Sequence, residues 1–515
     1  MNDTQHQYVW RWAAGVTLVY LVAAAWGVMH HELWRDEYQA WLIAANSTSL
    51  ADVIRNCRYE THPALWHMIL YLLMKVSPGT AVMQAAHVTA ATAGVFLFNL
   101  CAPFGRLEKL LYSVGYYAFF EYVIISRNYV LGILGIMVVV SLYCRRERRL
   151  LPVAVALFLL ANSNLCGFIL AGAFALFMAA DLLRDRGEGK PLPSSGSLLA
   201  AAIIIVVGLG LALVQIIPPA DHSFAAQVAH HLEPDRLKTA VAAQFLNYFP
   251  VPALNTVSFW NTSLFWQTPL TNDPRLPLFA VLSVAVTFFL ACRFRRDLPA
   301  LLFYLAAAAG VIGVQYVTQS TFVRHGGHVF MAFVVASWLH AVRHREGEQE
   351  AGEGLYRGVL IAMLGVQAVV GLYAYTMELR QPFSNLGKTA AYILDRHLEN
   401  GFIFGDIDFR VSPLSAAIHR PIYFPDQDRL ESFIVWKAEK VLDRKLIVDK
   451  LVAKTNEQGS VLLVASTRTL FPDDMEDGKD YELVPGITIR RLARFDGPSI
   501  CGDRYLLYET HRLAP

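Results

Sequence analysis

The sequence predicts an α-helical polytopic membrane protein of about 11 transmembrane helices, followed by a small C-terminal α/β domain. Three observations carry that reading. The 515 residues are 55% hydrophobic and only 17% charged, with a mean hydropathy of +0.38, the balance of a membrane protein rather than a soluble domain. Apolar windows approaching the roughly 20 residues needed to cross a bilayer recur as far as residue 377. Beyond Gln381 the apolar runs become short and are separated by polar and charged residues, as in a soluble fold.

The windows lie near residues 9–29, 81–101, 109–125, 128–144, 151–164, 165–183, 197–217, 275–292, 299–319, 326–343 and 355–377, and that at 151–164 is short. The first is too long for a signal-peptide core and has no small-residue cleavage site after Trp26–His30, so it is expected to be a retained helix. Orientation follows from where Lys and Arg gather. The basic clusters are Arg106/Lys109, Arg145–Arg149, Arg184/Arg186/Lys190, Arg293/Arg295/Arg296 and Arg343/Arg345. All of them fall on the cytoplasmic side if residues 63–76 lie in the membrane interface instead of crossing. That segment is short, opens on Pro63 and carries Trp66, His67 and Lys75, which suits an interfacial helix. The amino terminus is then inside. The outside surface comprises loop 30–80, the bend at 122–128, Asn162/Asn164, the large loop 218–274, the bend near 320–326 and everything after 378.

These boundaries give a transmembrane domain over residues 1–380 and an extracytoplasmic α/β domain over 381–515. In the second, Ser384 or Asn385 would cap a helix ending near Asn400-Gly401. Strand-like runs follow at 402–404, 421–424, 461–464, 487–493 and 504–508, with helical patterns between. About 130 residues are enough for an independent core.

A net charge of +2 with no basic domain and no basic patch interleaved with aromatics excludes nucleic acid as a partner. The cysteines at 57, 101, 144, 166, 292 and 501 contain no CxxC pair, which gives no support to zinc or thioredoxin-like chemistry. Only Cys57 and Cys501 fall outside the predicted spans, and a disulfide between them stays open.

The chemistry-bearing residues gather in the outside segments. Asp36 and Glu37 follow the first span by a few residues, among Trp34, Tyr38 and Trp41, and the same loop holds Arg58, Glu60 and His62. Two acids beside Arg35 are commonly a solvated loop. A carboxylate at a membrane surface can also take the proton of an attacking hydroxyl. Arg127, in Ser126-Arg127-Asn128-Tyr129, opens a span on the side where basic residues are scarce. It could simply snorkel to the interface, but a fixed guanidinium also suits a phosphate. Arg324-His325, with His328 one turn on, repeats the arrangement. Two histidines without a third partner are weak grounds for a metal, so no cofactor is expected and a divalent cation is only an option. Asn162 and Asn164 suit helix ends. The aromatic stretch 244–266, including Trp260, is either an interfacial belt or the wall of a sugar or lipid site.

The order of these elements resembles the polytopic GT-C glycosyltransferases, specifically the protein O-mannosyltransferase and aminoarabinose transferase-like (family 39-like) group. Asp36-Glu37 is similar to that family's first-loop acidic motif. His62-Pro63-Ala64-Leu65 is similar to its His-Pro-Pro-Leu element, with Ala64 where the second proline stands. The resemblance covers residues 8–145. It implies a GT-C-like helical domain in an inner membrane of bacterial type, with juxtamembrane helices in the first outside loop. It further implies transfer of a hexosyl or pentosyl group from a polyprenyl-phosphate carrier, with inversion, to a glycan, lipid or protein hydroxyl on the extracytoplasmic face. A polyprenyl phosphate is already a good leaving group, so the site must supply a base and cations for the developing phosphate charge. Asp36 is the first candidate for the base and Glu37 the second. Arg127, Arg324, His325 and Arg58 are candidates for the donor phosphate, and Glu60, His62, Tyr129 and Trp260 for the substrates. A multi-span transporter or lipid flippase is the alternative. Such proteins usually carry ionisable residues at the bilayer midplane and often contain inverted repeats. Here the ionisable residues cluster at one surface and no repeat is visible.

Overall fold

A computed structural model describes residues 3–145, 149–223, 233–266, 270–318, 321–344, 352–437, 443–467 and 470–513. Arg146 to Arg148 and Arg345, from the predicted basic clusters, lie outside the described residues.

Among the described residues, six helices are long and apolar enough to cross a membrane: Gln7–His30, Ala81–Cys101, Leu165–Gly187, Ser195–Ile216, Leu298–Thr318 and Glu353–Glu378. Tyr129–Tyr143, Leu150–Ala161 and Leu276–Cys292 are shorter apolar helices. Val323–Arg343 runs through the bundle, buried along nearly all its length. It carries Arg324 at one end and Arg343 at the other, about 28 Å apart by helical rise. The Arg343 end ion-pairs with Asp181 at 2.9 Å and Asp297 at 2.8 Å, beside Arg184. The predicted basic side and the predicted outside side are therefore opposite ends of one helix.

Two expectations need correction. Window 109–125 is not one helix: Arg106–Ser113 is followed by a π-turn at Tyr117–Glu121 and an irregular bend. Backbone that departs from α-helix is tolerated at membrane depth when protein surrounds it. Here Tyr116, Tyr117, Phe120, Tyr122 and Val123 are all buried. Hydropathy cannot see the break, because aromatic and aliphatic residues predominate on both sides of it. Nor is segment 218–274 only a loop. It contains the helix Pro234–Tyr248, whose Thr239–Tyr248 half is largely buried against Leu276–Cys292 and Val323–Arg343. Its polar residues find partners on helix Leu298–Thr318: Gln244 donates to Gln315 at 2.5 Å and Tyr248 meets the Tyr304 hydroxyl at 2.5 Å.

The first connection folds into short helices, Arg35–Ala45, Leu50–Asn56 and Leu65–Leu73. At 1.5 Å per residue the last is less than half the roughly 30 Å of a bilayer core. It packs on Arg35–Ala45 through buried Trp66 and Leu70. This is the juxtamembrane position expected for residues 63–76.

The C-terminal part is a seven-stranded sheet of order β3-β2-β1-β4-β7-β6-β5. The strands are β1 Phe402–Gly405, β2 Ile422–Phe424, β3 Arg429–Glu431, β4 Ser460–Ala465, β5 Asp480–Val484, β6 Ile487–Phe495 and β7 Tyr505–Arg512. β1 pairs in parallel with β2 and β4, and the other pairings are antiparallel. In β4, Leu462 and Val464 enter one apolar cluster while Val461, Leu463 and Ala465 enter another on the opposite face. Alternate residues of a strand point to opposite faces, so a run apolar at every position marks a strand covered on both sides. The short β3 and the exposed β5 lack such a run and were not anticipated. Helix Leu386–Asp395 ends before the predicted Asn400, although Asn385 does precede it.

This domain is seated on the first connection. The Gln39 side-chain amide donates to the Ile434 carbonyl and accepts from the Ile434 N–H, both at 2.9 Å. Cys57 and Cys501 are both unpaired, so the open disulfide is not formed.

Candidate active site

A cleft with an open mouth lies where the Arg324 end of the bundle meets the C-terminal domain. Into it converge Asp36 and Gln39 from helix Arg35–Ala45, Glu60 and His62 from the loop before Pro63, Arg127 and Tyr129 from the broken bend, Arg324 and His325 from Val323–Arg343, and Trp436 from the C-terminal domain.

Local geometry explains how each is aimed. Trp34 stands at the N-cap of helix Arg35–Ala45, so Asp36 and Glu37 fall in the first turn, where the exposed helix amides favour negative charge. Consecutive helical residues point about 100° apart, and the two acids separate. Thr61 sits in the left-handed region with φ 54°, a costly conformation for a β-branched residue that occurs where the surroundings enforce it. Between Arg127 and the membrane side, Asn164 caps helix Leu165–Gly187 by accepting from Gly167 N at 2.8 Å and donates to the Asn128 carbonyl at 3.1 Å. The bend carrying Arg127 is thereby tied to a helix end.

Asp36 is caged by cations. Arg35 Nε lies 2.9 Å from its Oδ1; Arg127 pairs with its Oδ2, and Arg324 Nη2 is 3.6 Å from the same oxygen. Burial alone would raise the carboxyl, but Arg127, Arg35 and Arg324 outweigh it and hold it far below the usual carboxylate range. The same carboxylate pushes Arg127 up, against the effect of burial.

Arg324 is only 6% exposed. Its guanidinium faces the rings of Phe322, Trp260 and Trp34 at 4.2, 5.3 and 5.7 Å, a cation–π enclosure. Its Nε has no hydrogen-bond partner among the described residues. Glu121 holds the wall in place, accepting from Tyr116 Oη at 2.7 Å and from Trp260 Nε1 at 3.0 Å.

Glu60 is the other carboxylate of the cleft. It accepts from Gln39 Nε2 at 2.7 Å and is hydrogen-bonded by Trp436. Burial, opposed by those bonds and by Arg127, pushes it up to about 7. His62 Nδ1 accepts from Leu165 N at 3.4 Å, and burial together with Arg127 lowers the imidazole to about 3, so it stays neutral. His325 Nε2 meets Tyr129 Oη at 2.8 Å.

Three of the expected residues stand elsewhere. Glu37 is fully buried behind the cleft. Its carboxylate accepts from Ser126 N at 2.6 Å and Trp34 N at 3.1 Å and meets His31 Nε2 at 2.9 Å. Both of its oxygens have partners there, and it does not line the cleft. Arg58 is exposed and donates to the Ile217 carbonyl, away from the cleft. Trp260 acts on Arg324 rather than lining the cleft. His325 and His328 do not converge on a metal, since His328 Nδ1 meets Tyr122 Oη at 3.3 Å. Among the described residues, the set whose ligand atoms do converge is Asp297, His340 and His344, at the far end of the bundle. Arg343 already occupies that Asp297 at 2.8 Å.

Sequence reasoning missed Gln39, Glu121 and Trp436. Glu121 and Gln39 each lie inside an apolar or helical run, where one polar residue gives no signal of its own. Trp436 arrives from a domain whose docking no local pattern announces.

No family model matches the chain, and no curated protein matches it in sequence. Solved structures do match. ArnT from Cupriavidus metallidurans bound to undecaprenyl phosphate superposes with TM-score 0.51 at 12% identity, covering 96% of this chain and 98% of that one. This chain has the fold of ArnT. The apo state of ArnT gives TM-score 0.50 at 13% identity, over 97% of each chain. The arabinofuranosyltransferase AftD from Mycobacteria gives 0.40 at 12% identity, covering 98% of this chain and 42% of that one. The architecture is thus the GT-C-like one expected from residues 8–145, with helical domain and C-terminal sheet domain both included.

Proposed function

We propose that the protein is a membrane glycosyltransferase moving a sugar from a polyprenyl-phosphate carrier to an acceptor hydroxyl on the extracytoplasmic face, with inversion. The observation that carries this reading is Arg324. Arg324, 6% exposed, boxed by three aromatic rings and lacking a partner for its Nε among the described residues, opens onto a cleft that also holds the Asp36 and Glu60 carboxylates. A buried cation without full pairing is costly unless an anion completes it. A phosphate diester offers that anion, and charge grows on it as the sugar leaves, which is when fixed cations contribute most. That ArnT, of the same fold, was crystallised with undecaprenyl phosphate supports a carrier of this class.

In this scheme Arg324 and Arg127 receive the phosphate, with His325 and Tyr129 beside it, and Asp36 keeps the two guanidinia together until the donor arrives. His62, neutral, hydrogen-bonds the sugar or acceptor. The acceptor hydroxyl attacks the anomeric carbon opposite the phosphate, and a carboxylate takes its proton. Whether the transferred group is a hexose or a pentose is to be read from a donor panel. Purified protein in detergent is incubated with radiolabelled polyprenyl-phosphate sugars. Label appearing on an acceptor, or as free sugar by slow hydrolysis, supports transfer. Accumulation of unchanged substrate in proteoliposomes would replace this reading with a transporter.

A further inference from the structure

The cleft holds two carboxylates with opposite environments, and the difference decides which can take a proton. Asp36 has both oxygens committed, Oδ1 to Arg35 and Oδ2 to Arg127 and Arg324. A hydroxyl approaching it would have to displace a guanidinium, and a carboxylate so strongly stabilised as an anion gains little by accepting a proton. Glu60 has no ion-pair partner among the described residues. It is oriented by two neutral donors, the Gln39 amide and the Trp436 indole.

We infer that Glu60, not Asp36, is the catalytic base, and that Asp36 is a positioning residue that sets the Arg127–Arg324 pair. This rests on the glycosyl-transfer reading above. In the step, the acceptor oxygen forms the new bond to the anomeric carbon while the carbon–oxygen bond to the phosphate breaks. The bonding pair leaves on the phosphate oxygen, facing Arg324 and Arg127, and the hydroxyl proton moves to the Glu60 carboxylate, later to water. Polyprenyl phosphate is released with one more negative charge, matched by the proton taken up.

Base catalysis is most effective when the base titrates near the working pH, and Glu60, lifted to about 7, meets that condition. The ionisable groups facing it are Asp36 and Arg35 on its neighbouring helix, Cys57, Tyr59 and His62 on its own segment, Arg127 and Tyr129 at the bend, and Arg324 and His325 across the cleft. His62 titrates near 3 and Asp36 lower still, so neither yields a limb near neutrality. His325 is the remaining imidazole and is tested directly.

The test uses the full chain in detergent and an undecaprenyl-phosphate-linked sugar labelled in the sugar, with water as acceptor where no other is known. Turnover of the unaltered protein should rise with pH and level off above about 7. Glu60→Gln should lower it by about 10²–10⁴-fold and flatten the profile, while binding undecaprenyl phosphate within about threefold of the unaltered protein. Glu60→Asp should restore part of the rate with the limb displaced. Asp36→Asn should act chiefly through KM for the donor and keep the limb, and His325→Gln should keep it too. A Glu60→Gln variant with the original limb, or loss of the limb in Asp36→Asn or His325→Gln, overturns the assignment. If the unaltered protein consumes no donor of the panel, the transfer reading itself falls and the role of Glu60 with it.

Discussion

His31 and Glu378 meet at 2.9 Å in a fully buried pair that joins the end of the first long helix to the end of the last. The other imidazole nitrogen meets Glu37 at 2.9 Å. Burial alone would lower this imidazole, but the two carboxylates outweigh it and push it up to about 10. A folded-state pKa above the unfolded value of about 6.5 stabilises fully below that value and fades as pH rises through about 10. The apparent Tm in detergent should therefore fall between pH 7 and 10. His31→Gln should flatten that dependence and cost stability on the order of 3–5 kcal/mol, as for a buried pair left with one member. Glu37→Gln should likewise lower Tm while leaving turnover per folded molecule nearly intact.

Of the three arginines expected at the phosphate, Arg324 and Arg58 should part company. Arg324→Ala removes a buried guanidinium facing the cleft and should weaken undecaprenyl phosphate binding by about 10- to 150-fold, the equivalent of a charged hydrogen bond worth about 1.5–3 kcal/mol. Arg58→Ala, altering an exposed residue bound to Ile217, should change it less than threefold. Equilibrium binding of the labelled lipid reads both.

Glu121 touches no part of the cleft, yet it positions Trp260 against Arg324. Both donors meet the same oxygen, Oε2, so Glu121→Gln can keep both with its amide oxygen and should change the donor KM less than threefold. Glu121→Leu frees both Tyr116 and Trp260 and should reduce kcat/KM by about tenfold or more. Steady-state kinetics on the donor separates the two.

Gly326 and Gly327 follow the Arg324-His325 pair because neighbours come too close for a side chain. A Cβ on Gly326 would run into the Asn247 amide, and one on Gly327 into Tyr117 and Tyr122. Gly327→Ala should cost about 1–3 kcal/mol, the usual penalty of overpacking. It should also displace Arg324, so Tm and lipid binding fall together.

Much of this architecture is legible in the sequence because a bilayer demands long apolar helices and leaves basic residues on one side. Those demands located the helices around Arg324 and Arg343 and the interfacial helix at Leu65–Leu73. They failed at Tyr117–Glu121, where aromatic residues supply hydropathy without helical continuity. They failed again at Pro234–Tyr248, where Gln244 and Tyr248 find partners only in the folded bundle. The site was legible as a set of outside residues. The division of labour was not: Asp36 and Glu37 look equivalent in a list, and only the fold shows one caged by arginines and the other locked to His31.

Gln39 receives the C-terminal domain with both ends of its amide, Oε1 and Nε2, and through the same Nε2 orients Glu60. Seating the domain and aiming the carboxylate are accordingly one event in the chain's assembly. A version of this protein trimmed at residue 380 would lose Trp436, two of the three hydrogen bonds of Gln39 and the Phe383 ring that packs on Trp260 and Trp34 beside Arg324. The sheet domain is better described as the second half of the reaction vessel than as an attachment to it.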